Sequence, residues 1–348
     1  MDIIIAGLGV SGSTIAYKLS EKGFRIKAFE PLKRYNKACG EQVTATDNTL
    51  QLIKKSESYV TRPKTFSILV DGILASYINL GGSSSWYIIN KGKLVEYLRN
   101  VAKSNGITIK KELWKGERAT ITIDARGPFS GNVKNKILVK RYIMRAEWDP
   151  EHVVLDLRPK QGGLYWIFPS DDGGRKVNVG GGFINIWDDK ELSSLIVKYT
   201  SKKLGSFEII DARASPLDVF SNYKLYQSGV FYIGESAGLV LSISGEGNRP
   251  AIESAIFLAE SILKYDINNI DKIGKEYLKL SKSIIDESSF SRKLFSFTYK
   301  YSKTIDMVKL MTNLPKWFWE KYILAKLKFG DIIKVVSNPY VIKELIKP

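Results

Sequence analysis

The chain has 348 residues, 44% of them hydrophobic and 11% aromatic, enough for about two folded domains with a sizeable core. One cysteine excludes a disulfide framework and cysteine-cluster metal centres, and one histidine, His152, excludes multi-histidine metal sites and is the single candidate base for a Ser-His-Asp triad. Lys and Arg number 53 against 36 Asp and Glu, a net charge of +17. That surplus either attracts polyanions or reflects a lysine-rich composition. With so little imidazole and thiol, a bound cofactor becomes the leading source of chemistry.

Asp2 to Ala6 is almost wholly apolar and reads as a strand buried on both faces, not as a signal peptide. Gly7-Leu8-Gly9-Val10-Ser11-Gly12 follows at once, then a helix from Ser13 to Lys22 stopped by Gly23, then a strand from Phe24 to Phe29 ending at Glu30. This is a βαβ unit with a phosphate-binding turn. Its glycines allow a tight turn, close approach of a pyrophosphate and helix–strand packing. The helix start offers N–H groups to phosphate, and Glu30, about 20 residues on, is placed for a ribose.

The alternation expected of a simple NAD dehydrogenase then stops. Lys33 to Gly40 is basic and turn-like, polar helical residues run to about Ser58, and Thr65 to Leu80 reads as a hairpin turning at Asp71-Gly72. Trp86 to Asn90 is a strand, and Gly92 to Ser104 a helix preceded by Lys91. Strands at Ile107 to Ile109 and Ala119 to Asp124 follow, the latter entering Ala125-Arg126-Gly127. Ile137 to Trp148, His152 to Leu157, Gly163 to Pro169 and Lys176 to Ile186 read as an antiparallel sheet. Alternation puts Trp166 and Phe168 on one face and Tyr165 on the other. His152 falls outside every motif and reads as a surface strand residue. Val230 to Ile233 leads into Gly234-Glu235-Ser236-Ala237-Gly238, and Gly245-Glu246-Gly247 precedes a helix from Arg249 to Leu263. Lys264 to Pro348 is helical in pattern, with Trp317-Phe318-Trp319 among lysines. That tail reads either as an interfacial helix on anionic lipid or as a cap over the substrate region.

This set resembles the FAD-dependent oxidoreductases of the aromatic hydroxylase type, and among them the geranylgeranyl reductase family. The likeness rests on Gly7, Gly9 and Gly12; on Lys37, Cys39 and Gly40; on Asp124, Ala125 and Gly127; on Trp166, Phe168 and Pro169; and on Gly245, Glu246 and Gly247. It runs from residue 1 to about 263. Lys91 stands where the family usually has Arg, Glu235 replaces Asp in the flavin-binding turn, the Tyr before Trp166 is shifted by one, and only Lys110 to Arg118 replace a longer meander.

The resemblance implies an α/β fold: a Rossmann-like FAD-binding domain (1–62, 84–128 and 229–263), an inserted antiparallel-sheet substrate domain (63–83 and 129–228) and a C-terminal helical region (264–348). It implies FAD held by Gly7, Gly9, Ser11, Gly12, Glu30, Cys39, Gly40, Lys91, Gly234, Glu235, Gly245 and Gly247, with no metal. Glu235 reads as an acceptor for ribityl hydroxyls or as a surface capping acid, and Lys91 as a phosphate partner or a solvated helix-start lysine. Cys39 reads as a residue beside the substrate or as a small buried hydrophobe. Cys39, Tyr165 and Trp166 are the catalytic candidates.

The implied activity is reduction of C=C bonds in geranylgeranyl or other polyprenyl chains of lipid precursors, by hydride from reduced flavin. NAD(P)H or an acidic electron-transfer protein such as ferredoxin would be the reductant. The same fold also serves FAD monooxygenases and halogenases, although no Trp-X-Trp-X-Ile halogenase signature occurs, and a non-catalytic flavin- and isoprenoid-binding protein is a third reading. A cytoplasmic protein with peripheral membrane contact and no specific nucleic-acid partner is expected.

Overall fold

A computed structural model describes residues 1–130 and 136–337. Its first strand, β1 (Ile3–Ala6), is buried at every position because it runs through the middle of a parallel sheet. α1 (Val10–Ser20) begins inside the glycine turn, three residues earlier than the sequence suggests, and β2 (Ile26–Phe29) lies parallel to β1. Next come β3 (Gln42–Thr44), α2 (Asp47–Lys55) and β4 (Tyr59–Thr61), then the hairpin of β5 (Thr65–Val70) and β6 (Ile73–Asn79). Asp71 and Gly72 both take positive φ, 48° and 84°, the geometry that joins two twisted strands through two residues. β7 (Trp86–Ile89), α3 (Lys91–Ser104), β8 (Thr108–Lys110) and β9 (Ile121–Asp124) complete the first part of the chain.

The middle holds β10 (Lys136–Arg145), β11 (His152–Arg158), β12 (Gly163–Pro169) and β13 (Lys176–Phe183). α4 (Asp189–Leu204) and the long β14 (Glu208–Asp218) follow, then β15 (Tyr226–Gln227) and β16 (Val230–Tyr232). Five helices end the described chain: α5 (Asn248–Lys264), α6 (Ile270–Tyr301), α7 (Met307–Thr312), α8 (Lys316–Ile323) and α9 (Phe329–Val336). The expected helical tail continues to 348, and its residues 338–348 lie outside the described residues.

Three sheets result. Six strands run in the order β15-β16-β9-β1-β2-β8, parallel except for β15. Seven run in the order β14-β10-β13-β12-β11-β5-β6, and β3-β7-β4 form a small third sheet. A boundary between 228 and 229 therefore falls inside the six-stranded sheet, which already includes Tyr226–Gln227.

The expected antiparallel sheet is mixed. β5 pairs with β11 in parallel, His152 opposite Thr65, because the early hairpin enters the sheet beside a strand that comes much later in the chain. Helices cover both faces of the seven strands. Val153, Leu155, Trp166 and Phe168 face α6, α7 and α8, whereas Tyr165, Ile167 and Val179 face α4. The six-stranded sheet packs Ile3, Ile5 and Ile123 against α1, α5 and α6.

The tail aromatics turn inward. Phe318, Trp319 and Tyr322 are buried, Trp86 Nε1 donates to Ile323 O at 2.6 Å, and Tyr322 Oη donates to Ile243 O at 3.2 Å. α8 is thus part of a helical roof over the sheet. His152 begins β11 away from the motifs, hydrogen-bonded to Thr65 and Ser67 and stacked on Tyr77, and burial lowers its pKa.

Candidate functional site

A cavity of about 420 Å³ opens at the carboxyl ends of β1, β2 and β9, where open parallel sheets bind ligands, and runs beneath the seven-stranded sheet. The turn after β1 explains its first wall. Gly7 has φ 89°, and a Cβ there would lie 2.7 Å from Ala125 O. A Cβ on Gly12 would lie 1.9 Å from Gly7 O, so both glycines are required for the chain to pack. Gly9 differs: its Cβ would meet only the Tyr35 ring, at 3.8 Å, and the space above it belongs to the cavity. α1 starts on Gly9 with no side-chain cap, which leaves its first N–H groups to a ligand. Ser11 lines the cavity beside them.

Glu30 also lines it, buried at the end of β2. Its carboxylate accepts from Leu8 N at 2.8 Å, Leu32 N at 3.0 Å and Arg99 Nη2 at 2.9 Å. Arg99 in turn donates to Leu8 O at 2.8 Å. Sequence reading missed Arg99, which sits mid-helix in α3 without a motif to mark it.

Lys91 is not a solvated helix-start lysine. It is 1% exposed at the first position of α3, with its ammonium 5.1 Å from the Tyr35 ring centre. Burial opposes its charge, yet Cys39, Tyr35 and Glu41 together raise its pKa. Cys39 is half-buried on the cavity wall, its sulfur accepting from Glu41 N at 3.2 Å and Asn248 Nδ2 at 3.6 Å. Gly40 follows because a Cβ there would strike the Phe168 ring at 2.5 Å.

Glu235 is no surface cap. It is paired with Lys37 and accepts from Asp218 N at 2.8 Å, tying the 37–40 loop to the Gly234 turn on the cavity wall. Gly234 itself has φ 59° and faces Ser11. Gly245 and Gly247 line the far wall just before α5, another helix start without a side-chain cap. Glu246 between them accepts from Thr44 N at 2.9 Å and Thr44 Oγ1 at 3.0 Å.

Trp166 and Phe168 face the cavity, whereas Tyr165 does not. Tyr165 stacks on Tyr199 of α4 with ring centres 4.2 Å apart, on the opposite face of β12. Strand alternation permits nothing else, so Tyr165 leaves the set of catalytic candidates. Asn178, which sequence reading missed, joins the remaining two. It accepts from Trp166 Nε1 at 3.0 Å and donates to Cys39 O at 2.9 Å. Phe295 and Tyr299 of α6 and Met311 of α7 close the apolar end.

No protein-family model matches the chain. An uncharacterized protein of Methanocaldococcus jannaschii is 27% identical over 340 residues, covering 81% of this chain and 90% of that protein. Digeranylgeranylglycerophospholipid reductase 3 of Methanosphaera stadtmanae is 23% identical, covering 97% of this chain and 95% of that protein. Among solved structures, a geranylgeranyl bacteriochlorophyll reductase-like protein from Thermoplasma acidophilum superposes with a TM-score of 0.72 at 19% identity, over 99% of this chain and 98% of that one. The chain therefore has that protein's fold: Rossmann-like, with an inserted sheet and a helical tail.

Proposed function

We propose that the chain is an FAD-dependent oxidoreductase that reduces C=C bonds in geranylgeranyl or other polyprenyl chains of lipid precursors. One observation carries this reading: a single cavity joins the nucleotide cradle at Gly7, Gly9 and Ser11 to an apolar end walled by Trp166, Phe168 and Phe295. The two named relatives, each called a reductase of geranylgeranyl compounds or reductase-like, support it.

The residues fit FAD. The open space at Gly9 and the uncapped start of α1 suit a pyrophosphate, Glu30 a ribose, Glu235 the ribityl hydroxyls, and Gly245 with Gly247 the close approach of a flat ring. When bound, FAD supplies hydride transfer. The protein's part is to orient an unactivated alkene and to keep water out. Trp166, fixed through Asn178, and Phe168 form the wall, and α6 and α7 close it. NAD(P)H binding transiently, or an acidic electron-transfer protein meeting the basic surface, would be the reductant.

The test is anaerobic turnover of dithionite-reduced protein with geranylgeranylated glycerolipid, read by mass spectrometry. The expected result is stepwise gain of two hydrogens per double bond, with reoxidation of the flavin. Oxygen-dependent turnover of an aromatic substrate without alkene reduction would replace the reading with a monooxygenase. Co-purified lipid whose alkenes never reoxidise the flavin would replace it with a carrier.

Membrane contact belongs to the same proposal. α9 exposes Phe329, Ile333 and Val336 beside Lys326, Lys328 and Lys334, and its acid, Asp331, is buried against Lys321. An apolar stripe flanked by lysines suits an anionic lipid surface. Among the described residues no helix is long and apolar enough to cross a membrane. The protein should float with vesicles containing anionic lipid at low salt, and Phe329→Ser with Ile333→Ser should abolish flotation. Flotation unchanged in that variant would remove α9 from the contact.

A further inference from the structure

The apolar end of the cavity stops on an aromatic ring. α6 presents Phe295 and Tyr299 one helical turn apart on the same face, and both line the cavity. Phe295 is buried, whereas Tyr299 keeps partial exposure, as do its lining neighbours Leu164, Thr298 and Met311. The boundary between cavity and solvent therefore runs through Tyr299.

That ring has a built seat. It rests on Gly162, which ends the short turn Pro159–Gln161 with φ 60°. A Cβ at Gly162 would lie 2.6 Å from Tyr299 Cδ2 and 2.5 Å from Ile184 Cδ1, so only bare backbone lets the ring lie there. Ile184 N donates to Gln161 O at 3.1 Å and to Gly162 O at 3.2 Å, which ties the residue after β13 to the same turn. Tyr299 Oη accepts from Asn185 Nδ2 at 3.3 Å, and the Lys303 ammonium lies 5.8 Å from the ring centre. A glycine, an amide and a cation thus hold one ring at the outer end.

We infer that Tyr299 sets the length of the apolar chain that the cavity accepts. The inference rests on the proposed isoprenoid substrate and adds the residue that measures it. Inward of the ring the wall includes Leu155, Leu157, Trp166, Phe168 and Phe295, where each further isoprene unit exchanges water for apolar contact. At Tyr299 that gain stops. A longer chain must lift the ring from Gly162 and Asn185 or leave its excess in water. Shortening the side chain removes the stop and leaves the cradle intact, because β1, α1 and β2 build the cradle and α6 supplies Tyr299.

The test uses the FAD-loaded protein and radiolabelled linear isoprenoid alcohols of two, three, four and five units, read as equilibrium binding without turnover. Wild-type affinity should climb with each unit up to a limit and then stop rising. Tyr299→Ala should move the limit up by at least one unit. It should bind the first over-long alcohol at least about tenfold tighter than wild type does, and the shorter ones within about twofold. Tyr299→Leu should shift the limit in the same direction by less, and Tyr299→Phe, which loses only the Asn185 contact, should keep the wild-type limit. A wild-type affinity that climbs through all four lengths would overturn the inference whether or not the variants fold. Equal profiles for wild type and a Tyr299→Ala protein folded by circular dichroism, or an equal change at every length, would also overturn it and leave the isoprenoid reading standing. Wild-type protein that binds none of the alcohols would overturn the isoprenoid reading itself, and this inference with it.

Discussion

Gly9→Val should fold and be colourless. A Cβ at Gly9 would meet nothing in the protein closer than 3.8 Å, and the residue has an extended backbone with negative φ, −67°, outside the left-handed region that only glycine favours. The cost to folding is therefore about 1 kcal/mol or less, the price of a poor residue at a helix cap. The added methyls occupy the space left for a pyrophosphate above the start of α1. FAD affinity should fall at least about a hundredfold, near 2.7 kcal/mol. Gly12→Ala is the contrasting variant. Its Cβ would lie 1.9 Å from Gly7 O, which is backbone and cannot swing away. That substitution should cost about 3 kcal/mol or more of stability and lower the yield of folded protein. Urea denaturation and flavin absorbance of the two variants separate a ligand-space glycine from a packing glycine. A yellow Gly9→Val protein would refute the assignment of the cradle.

Arg249→Met should be the most destabilising single change behind the cavity. The guanidinium lies buried among three carboxylates: 4.0 Å from Glu246, 3.4 Å from Glu253 and 2.5 Å from Glu287. Removing it leaves Glu246 and Glu253 buried without a cation, a loss of about 3–5 kcal/mol. Its pH dependence has a definite sign. Burial already raises the Glu253 carboxyl, and Arg249 is the main influence holding it down. Without Arg249 it rises further, so the folded state binds more protons than the unfolded state between the two pKa values. The variant should therefore recover stability as pH falls from 7 towards 5 and lose it as pH rises. Glu253→Gln should rescue it in part. A stability deficit independent of pH would show that packing, not charge, is the loss.

The glycine turn after β1 was readable because each of its residues is dictated by local geometry. Gly7, Gly9, Gly12 and Glu30 sit at fixed spacings around one strand and one helix. The hairpin at Asp71-Gly72 was readable for the same reason, since two positive φ values at adjacent positions favour that dipeptide. The long strand β14 was not. Its Asp, Ala, Ser and Pro residues have poor strand propensity, and Pro216 is tolerated because β14 forms the edge of its sheet. The preceding helix α4 carried a signal, Asp188 capping Glu191 N ahead of Leu192, Ile196 and Tyr199, which sequence reading passed over. The parallel pairing of β5 with β11 joins segments too far apart in sequence for periodicity to report. Within the site, the same limit hid Arg99, Asn178 and Asn248. Each is isolated in the sequence and acquires its neighbours only through tertiary packing. Tyr165 was the converse case: its side of the strand followed from alternation, and its stacking on Tyr199 decides its fate as a candidate.

The roof over the cavity also has a bearing on biogenesis. Ile323 O holds the Trp86 indole, and the Tyr322 hydroxyl reaches Ile243, so the last elements of the described chain fasten onto much earlier ones. On a ribosome, every glycine of the cradle through Gly247 emerges before those fastenings exist. The helical roof is thus supplied to the fold only after every one of those glycines.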